Sequence, residues 1–128
     1  MLALTPLLAL MQTNRFIPAN LRGSALHHNC AVLVSMMDNP SAKSDNTSTA
    51  TATATCLSYI EGFTAGLDLE EPQLVCVSSA TSLGTAARVY VQYMQQNLRL
   101  MDLDKQIGLL LALKENYPCA APAPAPKP

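Results

Sequence analysis

Residues 56–76, CLSYIEGFTAGLDLEEPQLVC, combine a helical pattern with a cysteine at each end. The apolar side chains recur at spacings of four, three and four residues, which places them on one face of an α-helix. They are Cys56, Ile60, Phe63 and Leu67. Pro72 bars continuation, because proline lacks a backbone N–H and clashes with the preceding turn. The segment therefore predicts a helix that ends before Pro72 and leaves Cys76 beyond it.

Three further segments show the same helical spacing. Their apolar stripes are Leu26, Cys30, Leu33 and Met37; Leu83, Ala87, Tyr90, Met94 and Leu98; and Ile107, Leu110 and Leu111 followed by Lys114. The predicted limits are Asn20 to Asn39-Pro40 for the first, Ser82 as N-cap of the next, and Asp102 or Asp104 to Tyr117-Pro118 for the last. With the opening segment, these patterns predict four helices.

The composition supports an all-α chain. Of the 128 residues, 49% are hydrophobic but only 5% are aromatic and none is Trp, so a core must be built from Leu, Val, Ala and Met. This favours packed helices over a sandwich of short strands. The net charge of -1 gives no indication of binding to nucleic acid or to an anionic membrane. We expect one small four-helix, up-down domain over residues 16–119.

Three other segments are expected to lie outside the packed helices. Residues 1–15 hold a ten-residue apolar run, too short to span a bilayer and typical of a secretory signal peptide, with an amphipathic N-terminal helix as the alternative. Residues 39–55 are rich in Thr and Ala without apolar periodicity and are predicted to form a flexible loop. Residues 120–128 alternate Pro with Ala and are predicted to form a disordered tail.

The four cysteines allow three disulfide pairings. In an up-down bundle, Cys56 faces the half of the first helix that holds Cys30, and Cys76 lies at the same end as Cys119. A bond from Cys56 to Cys76 would have to span about 20 Å of helix, whereas bonded cysteines have Cα atoms less than about 7 Å apart. The preferred pairing is therefore Cys30–Cys56 and Cys76–Cys119, in an oxidising compartment.

The sequence gives little support for catalysis, cofactor binding or a metal site. No two cysteines form a C-x-x-C pair, and the adjacent His27 and His28 point about 100° apart on a helix. We find neither a nucleophile elbow nor a glycine-rich phosphate loop. We therefore expect a protein that is not an enzyme and has no cofactor.

Gly62 and Gly66 lie four residues apart on the second helix. Because glycine within a helix costs about 1 kcal/mol relative to Ala, a packing role is expected, either within the bundle or across a dimer.

An ordered set of motifs resembles the type VI secretion amidase immunity (Tai) family. The motifs are CLSYIEG at 56–62, Cys76, SLGTAARVYVQYM at 82–94, and LLALKENYPC ending at Cys119. The resemblance covers about 100 residues, from Phe16 to Cys119. Three residues within or next to these motifs are expected to be structural: Tyr59, Tyr93 and Pro118.

The resemblance implies an exported all-α protein, usually a homodimer, that stays in the periplasm. There it would bind a secreted peptidoglycan amidase effector and block the active-site cleft, protecting the cell that makes it. The acidic turn of Asp68, Glu70 and Glu71 is our candidate contact for a basic rim on the amidase. The alternative is a small periplasmic helical stress chaperone, or another exported binding protein, which would expose apolar surface at low pH.

Overall fold

A computed structural model of the chain describes residues 16–40 and 46–120. The signal-peptide-like segment 1–15, residues 41–45 of the expected loop and residues 121–128 of the expected tail lie outside the described residues. Within the described part there are four α-helices and no strand. They are α1 (Gly23–Asp38), α2 (Thr47–Leu67), α3 (Leu83–Gln96) and α4 (Lys105–Asn116), with short 3-10 turns at Ala19–Leu21 and Leu98–Asp102. The all-α four-helix fold is confirmed.

Helix α1 packs against each of the other three helices, and α3 packs against both α2 and α4. The core is aliphatic, with one buried tyrosine. Its members are Leu26, Cys30, Leu33, Cys56, Ile60, Val75, Ala86, Ala87, Tyr90, Val91, Met94, Leu109, Ala112 and Leu113. The stripes predicted for α1 and α2 supply several of these side chains, because the 3.6-residue period places them on one face.

Both predicted disulfides are present. Cys30 and Cys56 join α1 to α2 with a Cα–Cα distance of 5.0 Å, and both side chains are fully buried. Cys76 and Cys119 join the segment after α2 to the segment after α4, with a Cα–Cα distance of 4.8 Å. All four cysteines are therefore used to hold the helical domain together.

The flexible loop expected at 39–55 is wrong over its second half, because α2 begins at Thr47. The side chain of Asn46 caps the helix by accepting a hydrogen bond of 3.0 Å from the backbone N–H of Ser48. The alanines of this run favour a helix, because alanine has the highest helix propensity. The run also packs on α1: Ala52 is buried, and the hydroxyl of Thr53 lies 3.4 Å from the sulfur of Met36. The Thr/Ala run thus forms the N-terminal part of α2, ahead of Cys56, which lies in the core.

The predicted helix starts at Ser82 and Asp104 are confirmed in position, and the one at Asn20 is wrong. Ser82 caps α3, and its hydroxyl accepts a hydrogen bond of 3.1 Å from the backbone N–H of Thr85. Asn20 does not cap α1, since it lies in a 3-10 turn and Arg22 occupies the N-cap position. Asp104 occupies the N-cap position of α4 but makes no capping hydrogen bond with its side chain.

The stripe predicted for α4 is wrong except at Leu110, which is partly buried against the core. The residues of α4 that are buried are Gly108, Leu109, Ala112 and Leu113. Ile107 and Leu111, which were expected in the core, are each 38% exposed. Leu98, expected at the end of the α3 stripe, lies in the second 3-10 turn and is 67% exposed. The sequence could not choose between the faces of α4, because large aliphatic residues occur on both.

Candidate functional site

The chemical groups with catalytic potential do not converge on one site. No described cysteine has a free thiol, so none can act as a nucleophile or a metal ligand while the disulfides are intact. Residues 16–40 and 46–120 contain no group of three or more His, Cys, Asp or Glu side chains placed to hold a metal ion. The candidate features are therefore on the surface: a charged turn, the disulfide-bonded segment that follows it, and two exposed glycines.

The two histidines of α1 differ in their surroundings. His28 is exposed, whereas the Nε2 atom of His27 is buried and has no hydrogen-bond partner among the described residues. Burial, and secondarily the adjacent His28, lower the pKa of His27 from the ordinary value of 6.5. Burial disfavours the charged imidazolium, so His27 is held neutral near pH 7.

The acidic turn predicted as a partner contact lies directly after α2. Asp68 is the C-cap residue, and the backbone N–H of Glu70 donates a hydrogen bond of 3.1 Å to the carbonyl of Leu67. Asp68, Glu70 and Glu71 are all exposed, and none of them takes part in an ion pair within the described chain. Leu69, between these carboxylates, is 85% exposed. The turn thus presents three uncompensated negative charges around one apolar side chain.

The segment that follows the acidic turn is anchored to the end of α4. The backbone N–H of Cys76 donates a hydrogen bond of 2.9 Å to the carbonyl of Tyr117, and the Cys76–Cys119 disulfide lies beside this bond. The side chain of Val75 is 2% exposed and contributes to the core. Covalent, hydrogen-bonded and apolar contacts therefore restrain the chain between the acidic turn and α3.

Gly62 and Gly66 do not permit a close approach within the bundle. A Cβ atom built on either residue has no neighbour within 4 Å, and both residues are exposed. The prediction of packing inside the bundle is therefore wrong for this pair. Close approaches occur instead at three other glycines: at Gly23, where a Cβ would collide with the carbonyl oxygen of Leu100, and at Gly84 and Gly108, where it would lie 2.7 and 2.6 Å from the sulfur of a methionine.

The three residues expected to be structural have different environments. The ring of Tyr59 is half-buried, lies 6.1 Å from that of Phe63 between centroids, and is covered by the ammonium of Lys105 at 4.5 Å. Burial, and secondarily the Asp104 carboxylate, raise the pKa of Tyr59. A structural role is therefore consistent with the contacts of Tyr59.

Tyr93 is half-buried against the core, and its carbonyl accepts a hydrogen bond of 2.8 Å from the side chain of Asn97 just after α3. Pro118 is exposed between Tyr117 and the disulfide-bonded Cys119. A structural role for Pro118 stays a prediction.

Two apolar features were missed by sequence reasoning. Leu69 lies within the acidic turn, but only its charged neighbours were predicted as contact residues. The outward side of α4, with Ile107 and Leu111, was assigned to the core. The signal that could have identified this face is the run of large aliphatic residues from Ile107 to Leu113, which extends beyond the single apolar stripe expected of a surface helix.

Comparison with known proteins places these observations in a family. None of the helices in the described residues is both long and apolar enough to cross a bilayer. No curated protein and no solved structure shows significant similarity to the chain. The family of Rap1a immunity proteins matches residues 22–119, a range that includes all four helices and both disulfides. Since this match covers most of the chain, the protein belongs to the Rap1a immunity protein family.

Proposed function

We propose that this protein is a periplasmic immunity protein that binds a type VI-secreted peptidoglycan amidase and blocks its active-site cleft. The observation that carries the proposal is the family match over residues 22–119. An inhibitor of this kind performs no reaction itself, so its function depends on a surface complementary to the effector.

Two disulfides support export to an oxidising compartment. Disulfides persist in the bacterial periplasm and are rare in the cytosol, where thiols are kept reduced. The fully buried Cys30–Cys56 bond lies in the centre of the packed helices and forms part of the core itself. The apolar run in residues 1–15 supplies a candidate export signal, although it lies outside the described residues.

The acidic turn is the candidate contact surface. Its three carboxylates are exposed and unpaired within the described chain, so a basic rim on the effector would gain charge complementarity without breaking an existing ion pair. The turn follows directly from α2, and the segment after it is restrained by the Cys76–Cys119 disulfide. A restrained surface loses little conformational entropy on binding, which favours affinity.

The deciding experiment uses the oxidised, periplasmically expressed protein and the peptidoglycan amidase encoded beside it. Binding and peptidoglycan hydrolysis are followed in one titration. We expect hydrolysis to stop at a stoichiometric ratio. If neighbouring amidases neither bind nor lose activity, the proposed target is wrong, and the helical disulfide-bonded fold is unaffected.

We also propose that the protein is a homodimer, as the resemblance to the type VI secretion amidase immunity family implies.

A further inference from the structure

The Cys76–Cys119 disulfide lies outside the helices. Cys76 is part of residues 68–82, which contain no helix or strand, and Cys119 follows the end of α4. Cys76 is exposed and Cys119 is half-buried. Cys30 and Cys56, by contrast, are fully buried. A dissolved thiol can therefore reach the first bond, but not the second, while the protein is folded.

The surroundings of the exposed bond suit the reduced cysteines as well as the disulfide. The Sγ atom of Cys76 lies 3.6 Å from the side-chain oxygen of Gln73, and the Sγ atom of Cys119 lies 3.6 Å from the carbonyl oxygen of the same residue. A disulfide has no proton to donate, whereas a thiol is a weak hydrogen-bond donor. Each cysteine, once reduced, thus has an oxygen acceptor beside it, and this stabilises the reduced form.

Few other contacts hold the segment that contains Cys76. Residues 68–74 are all exposed. Val75 is buried in the core and Val77 packs against it. The backbone N–H of Cys76 donates a hydrogen bond of 2.9 Å to the carbonyl of Tyr117. The disulfide adds a covalent link to these few contacts, so it supplies much of the restraint on the segment.

The four helices hold one another without this bond. Helix α1 packs against each of the other three, and the buried Cys30–Cys56 bond joins α1 to α2. Neither Cys76 nor Cys119 lies within a helix. Opening the exposed bond therefore acts on the segment between α2 and α3 and leaves the contacts between helices in place.

We propose that the Cys76–Cys119 bond is a redox switch. Thiol exchange at Cys76 opens the bond and releases residues 68–82, which include the acidic turn. Helices α1 to α4 stay folded around the Cys30–Cys56 bond. The redox state of one exposed disulfide thereby sets how firmly the acidic turn is held.

The exchange requires a dithiol, the chemical class to which thiol–disulfide oxidoreductases belong. One thiolate of the dithiol attacks the Sγ atom of Cys76, the bond to Cys119 breaks, and Cys119 leaves as a thiolate that takes up a proton. The second thiolate then attacks the reductant's own sulfur in the mixed disulfide and displaces Cys76, which is also protonated. Two electrons pass to the two cysteines, and the dithiol becomes a disulfide.

The first test is hydrogen exchange on the oxidised full chain and on the same chain in dithiothreitol at a concentration that opens only Cys76–Cys119, as alkylation verifies. Reduction should bring the exchange rate of the Cys76 amide to within about tenfold of an unstructured peptide. Amides in the middle of α1 and α3 should remain slow, and the far-UV circular dichroism should not change. After the reductant is removed, oxidation should restore the same pairing and the original protection.

Several results of this test would overturn the switch. Loss of the helical signal when the bond opens would make the bond a structural link of the whole domain. A Cys76 amide that stays protected would show that the bond does not hold the segment. A bond that opens only when the protein unfolds, or that re-forms with Cys30 or Cys56, would contradict reversible exchange.

The attacked sulfur is identified by brief exposure to glutathione, acid quenching and mass spectrometry. Glutathione should be attached to Cys76, and attachment mainly to Cys119 would contradict the assignment. The double variant Cys76→Ser, Cys119→Ser should show the exchange pattern of the reduced protein without any reductant, and added dithiothreitol should cause no further change. The measurement on the reduced wild type does not depend on the folding of this variant.

The consequence for immunity rests on the proposed function. If the acidic turn binds the amidase, the double variant should bind it about tenfold more weakly than the oxidised wild type, because the released turn must be ordered on binding. Equal affinity of the two proteins would show that the bond does not control the binding surface. An oxidised wild type that binds no neighbouring amidase, yet releases residues 68–82 on reduction, would contradict the target and leave the switch intact.

Discussion

The hydroxyl of Tyr90 on α3 donates a hydrogen bond of 3.1 Å to the main-chain carbonyl of Gly23, the first residue of α1. Tyr90 is fully buried, and burial raises its pKa far above the ordinary value, so the hydroxyl keeps its proton. Close to this bond, Gly23 approaches the backbone of Leu100 and the end of Met94. The start of α1 is therefore held by a hydrogen bond and by a close backbone approach.

Replacing Tyr90 with Phe removes this hydrogen bond while keeping the ring. We expect the free energy of unfolding to fall by about 1 kcal/mol, the usual net worth of a buried hydrogen bond. Denaturant unfolding measures the change. Tyr93→Phe is the control, because Tyr93 is only half-buried and its hydroxyl makes no hydrogen bond within the described chain, so it should cost little. Equal losses in the two variants would show that the bond contributes nothing.

Gly62 and Gly66 should respond to Ala in the opposite direction to Gly23. Gly62→Ala and Gly66→Ala should each stabilise the monomer by up to about 1 kcal/mol, because both sites are open and Ala is the better helix former. Gly23→Ala should be destabilising by more than about 1 kcal/mol, because a Cβ collides with the backbone carbonyl of Leu100. Thermal melts compare the three variants.

The glycine series also tests the α2 surface. If Gly62→Ala stabilises the protein but weakens amidase binding, the exposed side of α2 is part of the effector contact. If Gly62→Ala is destabilising, the open environment described for that residue is incorrect.

The two disulfides should differ in accessibility more than in stabilisation. Their loops, with sequence separations of 26 and 43, correspond to about 3.5 and 4 kcal/mol in the chain-entropy description. Cys76 is exposed, whereas Cys30 and Cys56 are fully buried. We expect mild reductant to open Cys76–Cys119 first under native conditions.

Alkylation followed by mass spectrometry identifies which cysteines become free. Denatured protein serves as the control, since both bonds should then react at similar rates. Simultaneous loss of both bonds in the native protein would contradict the difference in burial.

Protonation of His27 should destabilise the fold. Its pKa is lowered in the folded chain, so the unfolded chain binds the proton more tightly. Stability is therefore full above the unfolded value of about 6.5 and declines as the pH falls towards the lower folded pKa. His27→Gln should flatten this decline between about pH 7 and pH 5.

His28→Gln is the matched control, because His28 is exposed and its removal should leave most of the decline in place. Urea midpoints across the same pH range measure both variants. A wild-type stability that is constant from pH 7 to pH 5 would contradict the role of His27.

The acidic turn should contribute to effector binding in a salt-dependent way. Neutralising Asp68, Glu70 and Glu71 together should raise the dissociation constant about tenfold at low salt, with the difference shrinking as ionic strength rises. Calorimetry at two salt concentrations measures this. The matched control neutralises three exposed carboxylates elsewhere: Glu61, Asp102 and Glu115. If affinity at low salt is the same for both variants, the acidic turn is not the contact.

Local patterns in the sequence determined the helical class and the cysteine pairing. The spacings around Leu26 and Ile60 fix one face of a helix, because 3.6 residues per turn is a property of the backbone itself. Helix length excluded a bond from Cys56 to Cys76, since about 20 Å of helix cannot be closed by one disulfide. The expected up-down order of the helices then favoured Cys30–Cys56 with Cys76–Cys119 over the remaining pairing. The N-cap at Ser82 was likewise local, because its hydroxyl bonds a backbone N–H three residues on.

Tertiary contacts decided what was not encoded locally. The Thr/Ala run before Cys56 has no large apolar stripe, yet it is helical where it packs on α1 and is capped by Asn46. Whether a glycine has room for a Cβ atom depends on a segment distant in the sequence, as at Gly23, which lies against the backbone of Leu100. The buried face of α4 also depended on its neighbours. Aliphatic residues occur on two sides of this helix, so the sequence alone does not show which side is buried. The positions of α1 and α3 place Leu109 in the core and Ile107 at the surface.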